Sequence, residues 1–215
     1  MTAETPRARL SRLPGDPVPL IGHNQGPPLD PGRSWRAHCW RTARAALVPR
    51  LPIEVIRRRV LRAQELGLAY PAYASILLGS GRDVVAFLFT AEALALRLTR
   101  TVALPADRVE KLRGLARCDR LLLTGPDHDP AAMAGALAAA HGVAFRGAGR
   151  GPAETASQAE GRRALRAVLD PLRLPGDAVV VVGARACERD WAEAARMAAF
   201  LSAQAYFEQP AAAAR

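Results

Sequence analysis

The chain has 215 residues, a formal net charge of +10 and a pI near 11.0, half of its residues are apolar and only 5% are aromatic. That length suits one domain with a sizeable core plus a tail. The low aromatic content points to helices packed on alanine, and the excess of base over acid points to attraction to polyanions. Nearly all the positive charge is arginine, with Lys111 the only lysine. Arginine's planar fork suits bidentate recognition of phosphate and carboxylate. Cys39, Cys118 and Cys187 are far apart and form no C-x-x-C pair, which argues against a disulfide framework or a zinc knuckle and fits a reducing compartment. No apolar run approaches the ~20 residues of a membrane span. Four prolines interrupt Met1 to Leu20, so no signal-peptide core is expected there. The expectation is a cytoplasmic protein with no membrane contact.

Residues 1–33 read as a tail, because proline and glycine recur too often for a helix or a paired strand. Within it stands Leu20-Ile21-Gly22-His23-Asn24-Gln25-Gly26-Pro27-Pro28-Leu29-Asp30. This stretch resembles an I-G-H-N-x-x-P-P element of uncharacterised bacterial and phage-related proteins. The resemblance implies no activity and carries over no catalytic residue. Docking on its own domain or on a protein partner, through residues 21–29, is one reading; a disordered leader is the other.

Residues 34–80 read as a basic helical segment. Ser34 is an N-cap for a helix to about Val48, with Trp35, Cys39, Thr42 and Ala46 on one face. Pro52 opens a second helix to Leu66, in which Ile53, Ile56, Val60 and Ala63 form the expected buried stripe. Arg58 and Arg62 project together on the other side, and Arg57 and Arg59 flank the stripe. A third helix covers Tyr70 to Leu78. The run from Arg57 to Gly79 resembles the first two helices of a helix-turn-helix, where an R-x-x-L-x-x-x-E-x-G-L-S-Y segment precedes E-I-A-x-x-L-G. The resemblance implies a recognition helix starting near Ser80. Val84-Val85-Ala86-Phe87-Leu88-Phe89 stands there instead, either a buried strand or a helix too apolar to enter a groove.

From residue 81 to 208 short apolar runs alternate with alanine-rich helices. Val84–Phe89, Leu121–Leu123, Val143–Phe145 and Val179–Val182 are strand candidates. Helices are expected over Ala91–Leu98, Leu104–Ala116, Pro130–His141, Glu154–Leu169 (weakened by Gly161) and from Gly183 to about Ser202. Arg146–Pro152 reads as a flexible glycine-rich loop, and residues 209–215 as a second tail. The fold class is therefore α/β: a small, mostly parallel three-layer domain, preceded by the Arg-rich helices and the disordered leader.

In open α/β sheets ligands bind beyond the carboxyl ends of the strands. Two such ends carry chemistry. Thr124, Asp127 and His128 follow the Leu121 strand and offer acid–base groups, though no second histidine stands at metal-ligand spacing. Gly183 and Arg185 follow the Val179 strand and open a helix, an arrangement that can hold an anion. Neither metal nor cofactor is expected, and no nucleophile signature is present. The first functional expectation is a non-enzymatic protein that engages nucleic acid through Arg36, Arg41, Arg44, Arg57, Arg58, Arg59 and Arg62. The alternatives are a small enzyme or nucleotide-binding protein at the strand ends, and an interaction module acting through residues 21–29.

Overall fold

The computed structural model describes Cys39, Trp40, Thr42 and residues 51–98 and 102–208. The chain divides into two compact units, Met1–Leu51 and Pro52–Arg215. Cys39, Trp40 and Thr42 are helical. The rest of the helix expected from Ser34, the leader, and the tail from residue 209 lie outside the described residues.

The second unit opens with two helices, α1 (Ile53–Glu65) and α2 (Tyr70–Ser80). Gly67 turns the chain between them with φ 61°, and its N–H and that of Leu68 close the end of α1 on Gln64 and Ala63. No recognition helix follows α2. The chain enters β1 (Ala86–Thr90), whose five residues are all buried. β1 has apolar side chains on both faces because it is the central strand. Parallel strands β4 (Asp119–Thr124) and β6 (Val179–Gly183) flank it, with Leu88 opposite both Leu121 and Val181. β5 (Gly147–Arg150) and β7 (Ala199–Ser202) complete a five-stranded, all-parallel sheet in the order β5-β4-β1-β6-β7. A two-stranded ribbon of β2 (Arg97–Leu98) and β3 (Val102–Ala103) stands apart.

Helices cover both faces. Phe87, Phe89, Leu122, Val180 and Val182 point to α1, α2, α3 (Ala106–Gly114), α4 (Pro130–His141) and the short α7 (Ala203–Phe207). Ala86, Leu88, Leu121, Leu123, Val179 and Val181 point to α5 (Gln158–Leu169) and α6 (Ala186–Ala194). The period-two alternation of strand side chains divides the core in this way. The α/β, three-layer expectation holds. No described helix is long and apolar enough to cross a membrane.

Several expected elements differ. Ala91–Leu98 is not a helix: Ala91 N–H bonds Leu123 O, Thr90 Oγ1 accepts from Ala93 N–H, and Ala95 is left-handed at φ 48°. One turn forms and the chain leaves for β2. The third strand of the sheet is not Val143–Phe145 but Gly147–Arg150, inside the stretch read as a flexible loop. Its glycines serve close packing, since a β-carbon on Gly149 would lie 2.3 Å from Val168 Cγ2 of α5. The helix expected from Gly183 to about Ser202 ends at Ala194. Arg196 adopts φ 55°, its N–H bonds Glu193 O, and Met197 N–H bonds Ala192 O, so a fifth strand follows. Ile53, placed in the buried stripe of α1, is 59% exposed.

Candidate functional site

Successive parallel connections run from β1 outward to β4 and β5, then reverse to β6 and β7. The reversal lies between β1 and β6, where an open sheet forms its crevice at the carboxyl ends. Thr90 and Glu92 reach this point from β1, and Gly183, Ala184 and Arg185 reach it from β6. Glu154 arrives from the connection after β5.

The chain's own charges neutralise one another there. The Arg185 guanidinium lies 3.2 Å from a Glu92 oxygen and 3.5 Å from a Glu154 oxygen. The N-terminus of α6, which a bound anion would use, is occupied by Glu188. Glu188 Oε2 accepts from Ala184 N–H at 2.6 Å and from Arg185 N–H at 2.9 Å. The nearby Thr90 hydroxyl also favours the ionised form of this carboxylate. Burial nonetheless pushes the Glu188 carboxyl above its ordinary value, because desolvation outweighs these bonds. Gly183 is needed for this approach, since a β-carbon on it would lie 2.6 Å from Glu188 Oε2 and 2.5 Å from the Phe200 ring. Thus Gly183 and Arg185 do stand at a helix-opening strand end, but its amide donors already hold a carboxylate.

At the end of β4 the candidates do not converge. Thr124 is buried, and carbonyls of Gly125, His128 and Gly149 lie 3.1–3.4 Å from its hydroxyl. Asp127 is exposed. His128 closes the turn through its N–H to Gly125 O, and its Nδ1 is buried without a hydrogen-bond partner. Asp129 caps α4, accepting from Ala131 N–H at 2.9 Å. Among the described residues no group of three His, Cys, Asp or Glu side chains is arranged to hold a metal. β1 separates this strand end from that of β6.

The arginines of α1 fall into two kinds. Arg62 is structural: its guanidinium bonds Asp83 at 2.8 Å, Glu65 at 2.9 Å and the carbonyls of Val84, Ala116 and Arg117. It does not project into solvent beside Arg58. The cause is the loop before β1, which brings Asp83 and Val84 O against α1. Arg57 is exposed and paired with an equally exposed Glu54 at 2.8 Å. Arg58 is exposed and Arg59 half-buried, and among the described residues neither forms an ion pair. Leu61 shares this outer surface at 59% exposure. Arg36, Arg41 and Arg44 lie outside the described residues.

Sequence reasoning missed Glu188 and Glu154 as partners of Arg185. A signal existed for Glu188: an acid at the third helical position reaches back to the amides that open the helix. Nothing in the sequence pointed to Glu154, which is brought to Arg185 only by the fold. No family model matches this chain, and neither a curated protein nor a solved structure matches it.

Proposed function

We propose that this chain is a non-enzymatic accessory protein that engages nucleic acid through the arginines of α1, chiefly the exposed Arg57 and Arg58 with Arg59 beside them. The observation that carries the reading is the contrast between two charge sets. Arg58 and Arg59 have no acid partner among the described residues, and Arg57 has only a solvent-exposed one, worth under about 1 kcal/mol. The charges at the strand ends, by contrast, are met by Glu92, Glu154 and Glu188. An anion arriving at Arg185 would have to displace a carboxylate; one arriving at Arg58 displaces only water and counterions. The sequence adds Arg36, Arg41 and Arg44 upstream, in a stretch that also carries Trp35 and Trp40 for base stacking. Thr124, Asp127, His128, Gly183 and Arg185 remain the alternative ligand set, with weaker support for that reason.

Filter binding of labelled DNA and RNA at two salt concentrations tests the proposal. Affinity should fall steeply with salt. Replacing Arg58 and Arg59 together by Ala should weaken binding to all sequences and reduce the logarithmic salt slope, by about 0.7–0.9 for each phosphate that the protein no longer neutralises. Arg185→Ala should leave binding unchanged. Binding that ignores salt, or survives the Arg58/Arg59 replacement, overturns the reading.

A further inference from the structure

The outer edge of β7 and the adjoining side of α6 form a surface that the site above does not use. β7 ends the sheet on one side. Its sequence, Ala199-Phe200-Leu201-Ser202, carries no charge and no proline, and all four residues are partly exposed. Edge strands are normally guarded by charge, proline or a bulge, because their outward backbone groups template a further strand. Ala198 N–H donates inward to Val179 O at 3.0 Å. Backbone groups alternate along a strand, so those of Ala199 and Leu201 are directed away from β6.

Beside this edge opens a cavity of about 300 Å³, with Ala192, Met197 and Phe200 in its lining and Arg189 and Glu193 among its polar groups. Arg189 and Glu193 stand one turn apart on α6, and both are exposed. Among the described residues neither forms an ion pair. The Arg189 guanidinium lies 5.2 Å over the Phe200 ring instead.

We propose that this surface is where a second copy of the chain docks across a two-fold axis. The β7 strands of the two copies pair antiparallel, and Arg189 of each faces Glu193 of the other. A two-fold interface must be self-complementary, residue i meeting j while j meets i. An uncharged strand that pairs with itself, beside opposite charges spaced along one helix, meets that requirement. The apolar cavity walls close over each other as the sheets join. A single extended peptide would satisfy the strand edge but would have no reason to meet both Arg189 and Glu193.

Sedimentation equilibrium on the full chain, from micromolar to several hundred micromolar protein, tests this. The weight-average mass should rise with concentration toward twice the chain mass of 23.0 kDa. Arg189→Glu alone and Glu193→Arg alone each set like charges against each other twice across the axis. Each should raise the dissociation constant on the order of tenfold or more. The double exchange, Arg189→Glu with Glu193→Arg, should restore dimerisation. Circular dichroism on each variant establishes that these surface changes leave the fold intact. A wild-type mass that stays at one chain overturns the proposal, as do single reversals without effect or a double exchange that fails to restore the dimer.

Discussion

The Trp191 indole fills the space that a β-carbon on Gly161 would need, 2.0 Å from Trp191 Cγ and 2.1 Å from Cδ1. Gly161 of α5 is thus the position against which Trp191 of α6 packs on one face of the sheet. Its absent side chain lets Trp191 lie buried among Leu165, Val168 and Leu169. Local propensity argues the opposite way, because glycine inside a helix costs about 1 kcal/mol relative to alanine. Packing outweighs it. Gly161→Ala should destabilise the protein by about 2 kcal/mol net, since overpacking a tight contact costs roughly 1–3 kcal/mol or more. Urea unfolding measures this, and a variant more stable than the parent would show that Trp191 moves aside freely.

Arg62 fastens α1 to two other parts of the chain. Its fork reaches Asp83 and Val84 before β1, and Ala116 and Arg117 before β4. Asp83 is held in turn by the Tyr73 hydroxyl, which donates to it at 3.0 Å, and burial with this bond pushes the Tyr73 phenol up to about 12. Arg62→Ala should cost about 2–3 kcal/mol, because it leaves carbonyls and a carboxylate without their donor. Arg62→Lys should recover little of this, since one ammonium cannot span the same acceptors. Equal unfolding midpoints for parent and Lys variant would refute the role assigned to the fork.

Glu65 links this network to pH. Arg117, and then Arg62, hold its carboxyl below the ordinary carboxylate range against the opposing effect of burial. A carboxyl depressed in the folded state contributes stability above its unfolded value and loses it as pH falls through the folded value. Glu65→Gln should therefore lower the urea midpoint near pH 7 and lower it much less near pH 3. A midpoint difference that stays constant across that range would remove Glu65 from the acid response.

The elements legible in the sequence were those whose cause is local. β1, β4 and β6 show as apolar runs because both their faces are covered, and α4 shows because Pro130 and Gly142 bracket it. β5 was hidden because Gly147 and Gly149 are explained only by Leu172 and Val168, residues remote in sequence. β7 was hidden because its alanine and leucine suit a helix equally well. The candidate site divides in the same way. Arg185 at a strand end is readable, whereas Glu92 and Glu154 reach it from separate connections.

The same hidden boundary before β7 yields a further expected outcome. Arg196 occupies the left-handed position at the end of α6, with Arg196 N–H on Glu193 O and Met197 N–H on Ala192 O. Glycine is the residue usually found there, because a β-carbon strains this conformation by roughly 1–2 kcal/mol. Part of that gain returns as glycine's greater loss of chain entropy. Arg196→Gly should stabilise the protein by about 0.5–1 kcal/mol and raise the thermal midpoint. A lower midpoint would mean that the Arg196 side chain supplies packing that outweighs its backbone strain.

Tyr206, beyond the last strand, is as much part of the core as the central strand. It is fully buried, with ring centroids of Phe87 at 5.2 Å, Phe89 at 5.8 Å and Phe207 at 5.0 Å. Its hydroxyl donates to Leu66 O at the end of α1, 3.3 Å away. The Lys111 ammonium lies 4.6 Å above its ring and donates to its carbonyl. One side chain therefore ties α7 to α1, α3 and β1. Tyr206→Ala should cost about 3–5 kcal/mol, the range for emptying a large aromatic site. Tyr206→Phe keeps the ring and should cost only about 1 kcal/mol, for the hydrogen bond to Leu66. Removing all residues after Ser202 should be at least as damaging as Tyr206→Ala. Unfolding curves for the three variants order these effects. If the truncated chain melts with the parent's midpoint, Tyr206 fills a space the domain can close without it.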